Sequence, residues 1–184
     1  TETGDVVSRV GEHLDFVWSA QYDPSGLFVV SASSDNTVRL WDVRRGEQVL
    51  QFGGHTANVR DVAVSQDGQH ALSASEDGTV RYWDLAHGSQ QARLDGHSFD
   101  VVVVEYSEDG ESALTGSWDA SIIVWDLTTG EPQFSLTGHT GVVSDATYTP
   151  DGTRIVASDS DGILLWDLEN REQLARYPHQ FASE

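Results

Sequence analysis

Histidine, serine and aspartate recur together along the 184-residue sequence, as in His55, Ser73 and Asp77, and side chains of these types can make a hydroxyl nucleophilic when they meet. The grouping appears four times, however. One active site has no need of four copies, whereas a structural network does, and no G-x-S-x-G turn that would lift a serine above a sheet is present. The chain therefore reads as non-catalytic. Asp159-Ser160-Asp161-Gly162 resembles the start of a calcium loop but lacks the later glutamate, and no glycine-rich phosphate loop occurs. With no cysteine for thiolate ligation, neither a metal site nor a cofactor is expected.

Charge narrows the partners. Thirty acidic against ten basic side chains, all ten of them arginine, give a formal net charge of −20. A phosphate backbone would be repelled by such a surface, so nucleic acid is excluded as an expected partner. No apolar run exceeds four residues, as in Val101 to Val104, against about twenty needed to span a bilayer as a helix. The sequence thus reads as soluble, with no membrane partner and the cytoplasm as default location.

The elements that would position these residues follow from an internal repeat. His13, His55, His97 and His139 stand 42 residues apart, as do Gly26, Gly68, Gly110 and Gly152, and Asp35, Asp77, Asp119 and Asp161. Trp41, Trp83, Trp125 and Trp166 keep spacings of 42, 42 and 41, each followed by aspartate. Within the second unit, Val59 to Val64, His70 to Ala74, Thr79 to Asp84 and Gln91 to Leu94 alternate with Gly- and Asp-bearing turns, which predicts four antiparallel strands. A sheet this small cannot bury both faces alone, so each unit must lean on its neighbours. A β-solenoid would need far shorter periods.

Gly54-His55, Gly96-His97 and Gly138-His139, with Trp41-Asp42, Trp83-Asp84, Trp125-Asp126 and Trp166-Asp167, resemble the GH and WD dipeptides of the WD40 β-propeller family. The resemblance covers nearly the whole chain. It implies an all-β fold of four blades, over approximately 11–53, 54–95, 96–137 and 138–178 of a single 1–184 array, with residues 5–10 as an extra outer strand. It also implies a buried network in each blade joining the histidine, a second-strand hydroxyl, the turn aspartate and the indole. The members would be His13, Asp35 and Trp41; His55, Asp77 and Trp83; His97, Asp119 and Trp125; and His139, Asp161 and Trp166. In the second blade either Ser73 or Ser75 could supply the hydroxyl, since both lie on one side of a strand. The first unit has Gly11-Glu12-His13 in place of GH. In the fourth, Asp159 replaces the serine of Ser33, Ser75 and Ser117, and one residue is missing near Gly162, so a distorted blade is expected there.

Family members usually bind proteins on the face bearing the inner-strand starts and the turns between second and third strands. By position that face carries Phe16, Trp18 and Ser34, then Asn58, Arg60 and Glu76, then Asp100, Val102 and Trp118, and finally Val142, Ser144 and Ser160. Phe16, Trp18 and Trp118 are large apolar groups of the kind that dominates binding energy. The expected function is a protein-interaction scaffold binding a peptide or protein there. The alternative is a self-assembling structural unit, natural or engineered, whose homodimer closes an eight-bladed ring. Residues 5–10 would then pair with the partner copy's last blade, in competition with residues 172–177.

Overall fold

The computed structural model describes residues 12–178, so the outer strand expected at residues 5–10 lies outside the described residues. Among the described residues sixteen strands form four sheets, each antiparallel and wound in chain order. The first blade comprises β1 (Val17–Tyr22), β2 (Phe28–Ser33), β3 (Val38–Asp42) and β4 (Glu47–Phe52). The second comprises β5 (Val59–Val64), β6 (His70–Ser75), β7 (Thr79–Asp84) and β8 (Ser89–Asp95). The third holds β9 (Val101–Tyr106), β10 (Ser112–Ser117), β11 (Ser121–Asp126) and β12 (Pro132–Thr137). The fourth holds β13 (Asp145–Tyr148), β14 (Arg154–Asp159), β15 (Gly162–Asp167) and β16 (Glu172–Pro178). Among the described residues no helix is long and apolar enough to cross a membrane.

Short strands need tight reversals, and the aspartates and glycines supply them. Asp23 Oδ1 accepts the Leu27 and Phe28 N–H groups at 3.0 and 2.8 Å, while Gly26 takes φ 68°, a left-handed value that suits a residue without Cβ. Central strands β2, β6 and β10 are covered on both faces, whereas outer strands such as β8 expose most of their residues. That gradient places the apolar mass in the seams between blades.

Three cores fill those seams. Val30, Ala32, Val38, Leu40 and Phe52 of the first blade meet Val59, Val62, Val64 and Trp83 of the second, with the Phe52 and Trp83 ring centroids 5.4 Å apart. Leu72, Val80 and Leu94 then meet Val101, Val104 and Trp125. Leu114, Ile122 and Leu136 likewise meet Val143, Ile155 and Trp166. Burying a side chain of this size contributes roughly 1.5–3 kcal/mol, so the seams dominate the favourable energy.

A polar link crosses each seam as well. Gln21 Oε1 accepts the Val64 N–H at 2.6 Å, Asp61 Oδ2 accepts that of Val104 at 3.0 Å, and Glu105 Oε2 accepts that of Tyr148 at 3.2 Å. These groups sit on the inner strands, where a backbone N–H facing the preceding blade has no strand to bond.

The fourth blade departs from the pattern as its sequence implies. Its inner strand has four residues where β1, β5 and β9 have six. The missing residue tightens the β14–β15 hairpin until Asp159 pairs directly with Gly162, leaving Ser160 and Asp161 as the turn. A further departure lies at Arg171, which takes φ 57° where Gly46, Gly88 and Gly130 stand in the other blades.

Candidate functional site

The loops of one face are fixed by the buried networks beneath them. In the second blade, Trp83 Nε1–H donates to Ser73 Oγ at 2.8 Å, and the same oxygen lies 2.7 Å from His55 Nε2. An indole N–H can only donate, so the hydroxyl accepts it and gives its own proton to Nε2. His55 Nδ1–H is then the donor to Asp77 Oδ2 at 2.9 Å. Asp77 also accepts the N–H groups of Thr56 and Thr79, both at 3.0 Å, and so ties the loop before β5 to the β6–β7 turn. The choice between the two serines is thereby resolved. Ser75 instead donates to the Asn58 carbonyl at 2.9 Å and accepts the Asp77 N–H at 3.1 Å.

The first and third blades repeat the arrangement. Ser31 Oγ stands 2.6 Å from His13 Nε2 and 2.8 Å from Trp41 Nε1, with Asp35 Oδ2 at 2.9 Å from His13 Nδ1. Thr115 Oγ1 stands 2.7 Å from His97 Nε2 and 2.8 Å from Trp125 Nε1, with Asp119 Oδ2 at 3.0 Å from His97 Nδ1. Arg39 adds a cation to the first network, its Nη2 lying 3.1 Å from Asp35.

The fourth blade corrects the sequence reading. Asp161, expected in the network, is exposed and points instead towards Thr140 and Arg176. Asp159 takes its place, with Oδ2 at 3.1 Å from His139 Nδ1 and Oδ1 accepting the Asp161 and Gly162 N–H groups at 2.8 and 2.9 Å. The shortened turn is the physical cause, because it brings residue 159 to the point where the longer turns hold their aspartate. Position 157, which carries the bridging hydroxyl in the other blades, is alanine. His139 Nε2 and Trp166 Nε1 are consequently buried without a hydrogen-bond partner among the described residues.

Burial acts on these groups in opposite directions. It pushes the Asp35, Asp77, Asp119 and Asp159 carboxyls up, but the hydrogen bonds they accept outweigh it and hold all four below the usual carboxylate range. It lowers His13, His97 and His139, and their aspartates only partly offset it. Neutral imidazole against ionised carboxylate is the state that results.

Above the networks lies the loop face. Trp18 is half exposed, donates Nε1–H to Ser34 Oγ at 2.6 Å, and faces the Arg60 guanidinium, which sits 4.0 Å from its ring centroid. Arg60 continues to Glu76 at 3.3 Å, and Glu76 accepts from Asn58 Nδ2 at 2.9 Å. Ser34, Trp18, Arg60, Glu76 and Asn58 thus form one strip across the first two blades. Phe16, Trp118, Val142, Ser144 and Ser160 are each exposed, while Asp100 and Val102 are half-buried. Leu14 and Phe99 are also exposed there, and the positional reading omitted them. Their signal was in register: Leu14 stands where Thr56, Ser98 and Thr140 stand, and Phe99 where Asp15, Ala57 and Gly141 stand.

Four stacked four-stranded sheets, three of them locked by a complete histidine–hydroxyl–indole relay and the fourth by its histidine–aspartate half, define a repeat protein of the propeller kind. The WD40 family, described as WD domain, G-beta repeat, matches residues 4–42, 46–84, 88–126 and 130–167, and the chain belongs to it. Among its relatives, eukaryotic translation initiation factor 3 subunit I of Aspergillus terreus is 37% identical over 49 residues, or 27% of this chain and 15% of that protein. The human F-box-like/WD repeat-containing protein TBL1Y is 35% identical over 52 residues, or 28% of this chain and 10% of its own length. Each match spans a small part of its relative.

Proposed function

We propose that this chain is a non-catalytic scaffold that binds a peptide or protein segment across the loop face bearing Phe16, Trp18, Phe99 and Trp118. One observation carries the reading: large apolar side chains stand open to solvent, Phe16 at 76% and Phe99 at 63%, on loops held rigid by the networks beneath. Rigid aromatic groups on a fixed frame lose little entropy on binding and supply most of the energy at such surfaces. The non-catalytic part rests on the hydroxyls. Ser31, Ser73 and Thr115 are buried and committed to an indole, so none is placed to attack a substrate. The name of one relative, a subunit of a larger factor, agrees with a role in assembly.

Peptides selected from a displayed library against the wild-type chain test the reading. Binders are expected to weaken at least tenfold with Trp18→Ala or Trp118→Ala and to be indifferent to Val49→Ala on an outer strand. Binding that ignores both tryptophan variants would place the partner elsewhere.

A further inference from the structure

We propose that the third blade captures an arginine side chain of the bound segment, its guanidinium lying against the Trp118 ring and pairing with the Asp100 carboxylate. The inference rests on the loop-face reading above and names the chemistry of the partner.

The second blade already shows such a site, filled from within the chain. Arg60 sits 4.0 Å from the Trp18 ring centroid and 3.3 Å from Glu76 Oε1, so its guanidinium is held between an indole face and a carboxylate. Asn58 completes the group, its Nδ2–H donating to Glu76 Oε2 at 2.9 Å. A cation over an aromatic ring with a carboxylate at its edge satisfies stacking and charge together, and a planar guanidinium suits both better than an ammonium.

Forty-two residues further on, the same positions carry Asp100 for Asn58, Trp118 for Glu76 and Val102 for Arg60. The backbone frame is unchanged, because the Trp118 N–H donates to the Asp100 carbonyl at 2.9 Å just as the Glu76 N–H donates to that of Asn58. The third blade therefore sets a carboxylate residue and an indole residue side by side, with an uncharged valine where the second blade has its cation. Among the described residues the Asp100 carboxylate makes no hydrogen bond or ion pair. Trp118 is 42% exposed and Phe99, adjacent to Asp100, is 63% exposed, in a blade packed against a neighbour on each flank. Residues 96–137 contain neither arginine nor lysine, and Arg60 in the blade before is committed to Trp18 and Glu76. The missing member must come from outside. A formal net charge of −20 draws a basic segment rather than an acidic one, and an apolar neighbour of its arginine would lie on Phe99.

Peptides selected from the displayed library against the wild-type chain test this once they are sequenced, synthesised with arginine or with citrulline, its uncharged isostere, and titrated by fluorescence anisotropy. Arginine is expected to be enriched among them. Citrulline is expected to weaken binding about tenfold or more, since a charge-assisted pair is lost. Asp100→Asn weakens the arginine peptide by the same factor and leaves the citrulline peptide unaffected. The variant keeps the wild-type unfolding midpoint, because asparagine already stands at this position in the second blade. Binders that depend on either tryptophan yet lack arginine, tolerate citrulline or ignore Asp100→Asn would leave the loop-face reading standing and overturn the arginine site alone. Binders indifferent to both Trp18→Ala and Trp118→Ala, or a library that yields none, would defeat the two together.

Discussion

Replacing Ala157 by serine is expected to stabilise the fourth blade, and the expected size follows from the other three. In the second blade, Ser73 Oγ lies 2.7 Å from His55 Nε2 and 2.8 Å from Trp83 Nε1. In the fourth, the corresponding ring nitrogens of His139 and Trp166 are buried and unpartnered. A hydroxyl at residue 157 gains two hydrogen bonds at about 1 kcal/mol net each, less about 0.5 kcal/mol for fixing the side chain. The balance, about 1.5 kcal/mol, raises the unfolding midpoint of a chain this size by about 3–6 °C. Thermal scans and urea titrations by tryptophan fluorescence measure the change. Because repeat arrays can open unit by unit, amide exchange in β14 and β15 shows where it acts. The converse variant, Ser73→Ala, orphans the same two groups in the second blade and is expected to cost about 1–3 kcal/mol. If Ala157→Ser leaves the midpoint unchanged while Ser73→Ala lowers it, the unpartnered nitrogens are not the source of weakness in the fourth blade. If Ser73→Ala is neutral, the hydroxyl-centred relay has no energetic role at all.

Other perturbations probe the remaining links. Glu105 is pushed above the usual carboxylate range by burial and then by the neighbouring Asp145 and Asp61 charges, despite the hydrogen bonds it accepts, so Glu105→Gln is expected to stabilise the fold at pH 7. Gln21 already makes the equivalent seam bond, and equilibrium unfolding at pH 7 and pH 4 should show the gain only at the higher value. His13, His97 and His139 are lowered below 6.5 in the fold, so the unfolded chain takes protons first. Their contribution is complete above about pH 6.5 and is lost as the pH falls below it, which denaturation midpoints at pH 7 and pH 5 should register. The lowered Asp35, Asp77, Asp119 and Asp159 hold their share until the pH drops under about 3.9. Gly162→Ala would drive a Cβ into the Tyr177 carbonyl and Pro178 Cα, at a cost of about 2–3 kcal/mol with lost exchange protection in β16.

Strand placement was the most legible feature, because hairpin glycines and β-branched runs leave few alternatives. Val59–Val64 and Thr79–Asp84 form strands as the spacing implies, and the outer strand near Gln91 to Leu94 extends to Ser89–Asp95. The relay was legible down to a choice between two serines. Side-chain alternation puts Ser73 and Ser75 on one side, and only the turn geometry separates the one nearer the indole. In the fourth blade the 42-residue spacing misled, because it was carried through a turn that had lost a residue. Asp161 matches Asp119 in type, yet the lost residue hands its place to Asp159, and Ala157 passed unnoticed because a missing oxygen leaves no motif. On the loop face, Trp18 and Trp118 stood out by size, while Leu14 and Phe99 needed comparison across all four units.

Among the described residues every seam joins blades adjacent along the chain, and in each an inner-strand side chain accepts the backbone N–H found 43 residues further on. An ancestral gene could therefore gain or shed one whole unit and leave the remaining junctions chemically unaltered. The same economy lets an engineer splice in a foreign blade, provided that it brings an acceptor for the next inner-strand amide and a small apolar residue to open its first strand.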